Sequence, residues 1–146
     1  MRTLAIDYGQ RRIGLAMSDS GAKLATPLEV LNVNSQDAAI RTIVQLVQKE
    51  DVGRIVLGLP LNMDGTTGPS AKTVIEFGRA LSTQTGREVV FVDERLSSFE
   101  AEQSLSDRRK SGEKMTRKDK KRRLDAIAAA RFLQEFLDGK LRPIDP

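Results

Sequence analysis

Asp7-Tyr8-Gly9-Gln10-Arg11-Arg12-Ile13-Gly14-Leu15-Ala16 decides how the rest of the chain is read. Residues 3–6, just before it, and residues 13–17 are apolar runs of strand length, and the glycine-containing stretch between them is short enough to be a tight turn. The pattern predicts an antiparallel pair with one carboxylate, Asp7, at the exit of its first strand. A sheet fixes such an acid, and the turn behind it leaves space for a metal or a phosphate. The alternative use of an acid here is to accept turn amides.

Working outward, residues 26–33 read as a third strand, with Pro27 near its start, as suits an edge. Asn34 or Ser35 can cap a helix to about Lys49, in which Ala39, Ile40, Ile43, Val44, Leu46 and Val47 recur at helical spacing. Residues 54–59 form a fourth strand and residues 62–68 a turn-rich loop. Pro69 can open a second helix to about Ser82, and residues 88–92 are the last strand. Ser97 or Ser98 can cap a helix through about Leu105. Thr116 with Asp119 three residues on is a capping-box variant, which predicts a final helix to Asp138 with Gly139 as its stop. No repeat, low-complexity linker or internal boundary interrupts residues 1–146, so one α/β domain is expected. Strands that alternate with helices need crossover connections and hence run parallel. Asp7, the loop after Gly58 and Glu94 should therefore share the carboxyl edge of the sheet, where open α/β sheets bind their ligands.

Composition narrows the chemistry. The 146 residues include neither Cys nor His. Disulfides, thiol nucleophiles, the usual zinc sites and imidazole acid/base catalysis are thereby excluded. Carboxylates, Lys/Arg, hydroxyls and a hard metal remain. Net charge is +4, yet residues 108–123 hold ten Lys/Arg against Glu113 and Asp119, a local +8 that leaves −4 for the remainder. So concentrated a field points to polyanion contact, with a solvated basic loop as the alternative. No apolar run approaches the roughly 20 residues of a spanning helix, and Met1-Arg2 leads straight into a strand. A cytoplasmic protein with no membrane partner is expected.

Three acids stand out: Asp7; Glu94, directly after an apolar strand; and Asp125, between the basic run and the apolar residues 126–133. Together they could supply the carboxylates of a two-metal phosphodiester site, with Mg²⁺ or Mn²⁺ as the hard cation. Facing one another without metal they would repel, which raises a pKa. Each also has a plainer use. Glu94 could pair with Arg95 or Arg123, and Asp125 with Lys121 or Arg122. Asp125 nevertheless lies on the helix side of Ile127, Ala128 and Phe132. Asp93 reads as a strand anchor. Arg12 could contact phosphate or brace the turn against Asp19. Asn62 could touch a sugar-phosphate backbone or close an Asx-turn. Arg95, Lys114, Arg117, Lys118, Lys120 and Lys121 complete the candidate phosphate contacts. Gly9, Gly14, Gly58 and Gly65 read as backbone requirements: turns, and at Gly14 close strand approach. Tyr8 is the sole Tyr and Trp is absent, so no base-stacking platform is visible.

Four ordered motifs over nearly the whole chain resemble the YqgF family of ribonuclease-H-like proteins, to which pre-16S rRNA nuclease activity is ascribed and which is related to RuvC-type Holliday-junction resolvases. They are Asp7-Tyr8-Gly9 with Arg12-Ile13-Gly14, Gly58-Leu59-Pro60-Leu61-Asn62-Met63-Asp64-Gly65, Asp93-Glu94-Arg95-Leu96-Ser97, and Asp125 followed by Ala126 and Ala128-Ala129. The resemblance implies a ribonuclease-H-like fold with a mixed five-stranded sheet flanked by helices, and divalent-metal nuclease activity. It implies catalytic roles for Asp7, Glu94 and Asp125, with a ribosomal RNA precursor or precursor particle as partner. RuvC-like resolvases carry a glutamate at the end of the fourth strand, where this chain has Leu59-Pro60. That departure weakens a resolvase reading, with branched DNA as substrate and a defined homodimer, more than a nuclease reading, for which a monomer suffices. A non-catalytic ribosome-assembly factor and an ATP-binding relative are the competing classes.

Overall fold

The computed structural model describes residues 1–94 and 117–146, the side chains of residues 117–123 excepted. Its elements are β1 (Arg2–Tyr8), β2 (Arg12–Ser18), β3 (Ala25–Asn32), α1 (Gln36–Lys49), β4 (Val52–Leu59), α2 (Pro69–Thr85), β5 (Glu88–Asp93) and α3 (Arg117–Leu137). The sheet order is β3-β2-β1-β4-β5. β1, β2 and β3 form an antiparallel meander, while β1, β4 and β5 are parallel.

This order follows from the connections. Tight links join β1 to β2 and β2 to β3, whereas α1 and α2 carry the chain across a sheet face to β4 and β5. β4 enters beside β1, so successive connections leave β1 in opposite directions across the sheet. The crevice at the carboxyl ends of β1 and β4 is a switch point of the kind that binds ligands in open sheets. β3 is an edge strand, and Pro27 lies beside its register irregularity opposite Leu15 and Ala16. An edge tolerates a residue with no N–H to donate.

Alternation along the strands feeds two cores. Leu4, Ile6, Ile13, Leu15, Ile55 and Leu57 face α1 and α2, burying against Ile43, Phe77 and Leu81. Ala5, Ala16, Val56 and Val92 face α3, against Ala129, Phe132 and Leu133. Small residues dominate the second face, so α3 can lie close to the sheet. Ser35 caps α1 by accepting from Ala38 N at 3.1 Å. α2 runs to Thr85 rather than ending near Ser82, because the left-handed residue that stops it is Gly86 (φ 69°), whose N–H donates to Ser82 O at 2.9 Å. Gly139 (φ 77°) follows α3. The expected helix from Ser97 or Ser98 and the Thr116 cap lie outside the described residues. Among the described residues no helix is long and apolar enough to cross a membrane.

Candidate active site

β1 extends through Tyr8, so Asp7 lies within the strand, opposite Gly14, rather than just beyond its end. Alternation sends Tyr8 toward the α1/α2 core, where its ring meets Phe77 at 4.6 Å, and Asp7 toward the α3 face. β5 ends at Asp93, opposite Leu59, and Glu94 follows at the same carboxyl edge. Asp125 arrives from above on α3.

Two glycines admit these acids, and they correct the expectation of a strand approaching Gly14 and of a turn at Gly58. Gly14 sits inside β2, and the close approach it permits is by a helix. A Cβ there would run into the Asp125 carbonyl and lie 2.8 Å from Ala126 N. The absence of that Cβ lets the Asp125 turn of α3 settle on β2. Gly58 sits inside β4, where a Cβ would lie 2.7 Å from Glu94 Oε2 and 3.0 Å from Phe132 Cε2. The vacated space seats the Glu94 carboxylate. Gly9 does occupy the β1–β2 connection, where a Cβ would be 2.6 Å from the Arg12 carbonyl oxygen, and Gly65 adopts φ 84°.

The electrostatics of the acids are tightly linked. Burial is the largest influence on Asp7, followed by the Glu94 charge, a hydrogen bond to Glu94 and the Asp125 charge, and together they hold its carboxyl well above the ordinary aspartate range. Burial also raises Glu94; its hydrogen bond with Asp7 opposes that rise and the Asp93 charge adds to it. Both directions have one physical meaning: two acids set close together and away from water, whose charged forms are disfavoured, that of Asp7 the more strongly. Glu94 Oε2 is buried with no hydrogen-bond partner among the described residues. A buried carboxylate oxygen left bare is costly unless something positive meets it.

Asp125 is placed differently. Its Oδ2 accepts from Arg12 Nε at 2.9 Å. Arg12 therefore does not brace against Asp19, whose Oδ1 instead closes its own loop by accepting from Lys23 N at 2.7 Å and Leu24 N at 3.1 Å. Among the described residues no three acidic side chains are grouped so as to hold an ion. Asp7 and Glu94 face each other, and Asp125 is near enough for its charge to act on Asp7 but is engaged by Arg12. The pair fits a hard divalent cation on two counts: its donors are all oxygens, and Glu94 Oε2 lacks a partner among the described residues.

The remaining expected residues sit as follows. Asn62 Nδ2 donates to Thr66 Oγ1 at 3.0 Å, while Asp64 Oδ1 accepts from Thr66 N at 3.0 Å and Thr66 Oγ1 at 2.6 Å, so these polar side chains brace the loop after β4. Arg95 and Lys114 lie outside the described residues, as do the side chains of Arg117, Lys118, Lys120 and Lys121. Gln134, which sequence reading passed over, ties α3 to the start of β3. It accepts from Ala25 N and donates to the Lys23 carbonyl, both at 2.9 Å. On the opposite sheet face, a cleft of about 210 Å³ opens at the switch point between Tyr8, Gly9, Pro60 and the first turns of α2.

Comparison with known proteins agrees with this architecture. Residues 1–139 match the model of the family described as RuvX, Holliday junction resolvase. A protein of Chloroflexus aurantiacus (strain J-10-fl), named "Putative pre-16S rRNA nuclease", is 44% identical over 137 residues, covering 94% of this chain and 86% of its own. One of Anaeromyxobacter sp. (strain Fw109-5) with the same name is 41% identical over 140 residues, covering 96% and 98%. Among solved structures, T. thermophilus RuvC in complex with Holliday junction substrate aligns over 99% of both chains with a TM-score of 0.59 at 14% identity. The fowlpox virus resolvase in complex with Holliday junction DNA aligns over 95% of this chain and 98% of its own, with a TM-score of 0.56 at 11% identity. At such identities the likeness is one of fold, and that fold is ribonuclease-H-like.

Proposed function

This chain belongs to the RuvX family of nucleases, and from that premise we propose that it is a divalent-metal-dependent endonuclease that cuts structured RNA, trimming the 5′ end of pre-16S rRNA, with Asp7, Glu94 and Asp125 as its catalytic carboxylates. The observation that carries this reading is the Asp7–Glu94 pair: two half-buried acids, one on β1 and one just past β5, brought together at the carboxyl edge, with the buried Glu94 Oε2 lacking a hydrogen-bond partner among the described residues. The names of the full-length relatives support the rRNA precursor as substrate. A bound Mg²⁺ or Mn²⁺ would activate water and neutralise charge on the phosphate.

The chain's own residues do the rest. Asp7 on β1 and Glu94 just past the end of β5 offer oxygens at a rigid sheet edge, and both must be ionised to hold a cation. Asp125 would be the third residue to hold the cation, from α3, with its Oδ2 free of Arg12. Arg12 and the basic residues of the 108–123 segment, with Arg95, grip phosphates of the backbone, and Asn62 adds a contact from its loop. None of this needs a thiol or an imidazole, which the chain lacks.

The decisive experiment is cleavage of a labelled precursor-rRNA fragment in Mn²⁺, Mg²⁺ or EDTA by wild type, Asp7→Asn and Asp125→Asn. Metal-dependent cutting lost in both variants supports the reading, and cutting by Asp7→Asn at the wild-type rate overturns the site. The family description and the junction-bound neighbours favour one second reading, resolution of four-way DNA junctions. That activity needs two sites at fixed separation in a homodimer. Paired symmetric cuts in a synthetic junction, with the RNA left intact, would establish it. Tight, salt-sensitive RNA binding with no cleavage of either substrate would instead support an assembly factor.

A further inference from the structure

The Arg12–Asp125 pair separates two kinds of acid in the site. Glu94 Oε2 is buried with no hydrogen-bond partner among the described residues, whereas Asp125 Oδ2 is satisfied by a guanidinium at 2.9 Å. Arg12 stands at the start of β2, and its bond reaches 113 residues along the chain to α3. Its terminal nitrogens make no hydrogen bond among the described residues, which leaves a planar double donor suited to phosphate. The side chains of Arg12 and Asp125 are 29% and 28% exposed, so a substrate can reach the pair from solvent. Ion pairs at such exposure are weak, and a phosphate can compete for one.

We infer that Arg12 is a positioning residue. In the free protein it occupies Asp125 and keeps that carboxylate from the cation, and it releases Asp125 when its guanidinium moves to a substrate phosphate. The inference rests on the proposed nuclease reading. Physically, the guanidinium supplies the free site with positive charge beside acids that otherwise repel one another. Substrate arrival exchanges one anionic partner of Arg12 for another. Asp125 is thereby freed where the third ligand is needed, and the complete ligand set forms only with nucleic acid in place. By linkage, metal and substrate each tighten the other.

The test is Mn²⁺ affinity without nucleic acid, read from the electron paramagnetic resonance of unbound Mn²⁺. The proteins are wild type, Arg12→Ala, Arg12→Gln, Arg12→Lys, Asp125→Asn and the Arg12→Ala/Asp125→Asn double variant. Freeing Asp125 should tighten binding about fivefold in Arg12→Ala and Arg12→Gln, the yield of removing a weak competing pair. Arg12→Lys, which keeps the charge, should stay near wild type, and Asp125→Asn should cancel the gain. Unchanged or weaker affinity in both neutral variants overturns the inference. So does a gain that survives Asp125→Asn, because loss of a nearby positive charge would then explain it. Arg12→Gln preserves length and hydrogen bonding, so the test stands if Arg12→Ala fails to fold.

A second arm measures binding of a short RNA hairpin in EDTA. Asp125→Asn should tighten it by releasing Arg12, and the double variant should lose that gain; a gain retained in the double variant contradicts the exchange. Mn²⁺ binding by wild type that ignores Arg12 removes this inference alone. Absence of binding in wild type and both neutral Arg12 variants removes the metal reading and the inference with it.

Discussion

Replacing Gly14 by Ala places a methyl group where the Asp125 turn of α3 now rests on β2. The new Cβ would be 2.8 Å from Ala126 N, against the 3.4 Å at which ordinary contact begins, so α3 must retreat by at least about 0.6 Å there and further at the nearer Asp125 carbonyl. Backbone meets backbone, and no side chain can swing aside to absorb the change. Overpacking of this kind costs about 1–3 kcal/mol, which in a domain of this size lowers Tm by roughly 3–10 °C. The larger effect falls on chemistry, since a misplacement near 1 Å of a reacting group costs about 100-fold in rate. The assay is metal-dependent cleavage of structured RNA at 25 °C, well below both melting temperatures, with kcat and KM separated. Ile43→Val in the α1 core, fully buried and remote from the acids, serves as the control; it costs about 0.5–1.5 kcal/mol. The expected result is a rate loss near 100-fold in Gly14→Ala and near-wild-type rate in Ile43→Val. A Gly14→Ala protein that melts early but cuts like the control would refute the claim that this glycine sets the position of Asp125.

Asp7→Asn should raise the Tm of the metal-free protein near neutral pH. The folded Asp7 pKa lies above its unfolded value, so the folded state holds the extra proton between the two, and wild-type stability falls as pH rises through that window. Melts in EDTA from pH 4 to 8 should show a flatter profile for the variant. Mn²⁺ should raise the wild-type Tm more at the upper end of that pH range than at its lower end, because a cation takes the ionised carboxylate, and equal shifts would contradict the pairing with Glu94. Gly58→Ala should push aside the movable end of Glu94, lowering cleavage at least about tenfold at a stability cost near 1–2 kcal/mol, since Phe132 must also give way. Gln134→Ala strands Ala25 N and should cost about 1–2 kcal/mol in urea melts with cleavage by the folded protein unchanged. Neutralising Lys118, Lys120 and Lys121 together should lower the slope of log affinity against log salt by about 2–3 units for RNA; an unchanged slope would remove the basic segment from the grip.

Much of the architecture is legible in local patterns because local chemistry determines it. Five apolar runs, the Ser35 cap and the stop at Gly139 are short-range signals, whereas α2 runs past its expected end near Ser82 to the stop at Gly86. Parallel pairing of β1, β4 and β5 follows from the intervening helices, which is why Asp7 and Glu94 meet at one edge. What escapes sequence reading acts over distance. The partner of Arg12 lies 113 residues away, and no local rule favours Asp125 over Asp19. Gly14 and Gly58 carried a signal, since glycine within an apolar strand marks close approach. The identity of the approaching group, helix backbone in one case and a carboxylate in the other, depends on how α3 and Glu94 pack. Gln134 had no signal at all, being one polar residue on a helix, and only the docked α3 reveals its bonds to Ala25 and Lys23.

If Asp7, Glu94 and Asp125 form a metal-dependent cutting centre, single-turnover cleavage of a labelled precursor-rRNA fragment in Mn²⁺ must depend on each of them. Wild type should cut in Mn²⁺ and not in EDTA, with Asp7→Asn, Glu94→Gln and Asp125→Asn each folded, each still binding the RNA, and each slower by at least about 100-fold. Full cleavage by any correctly folded member of that set would contradict the assignment of its carboxylate to the reaction.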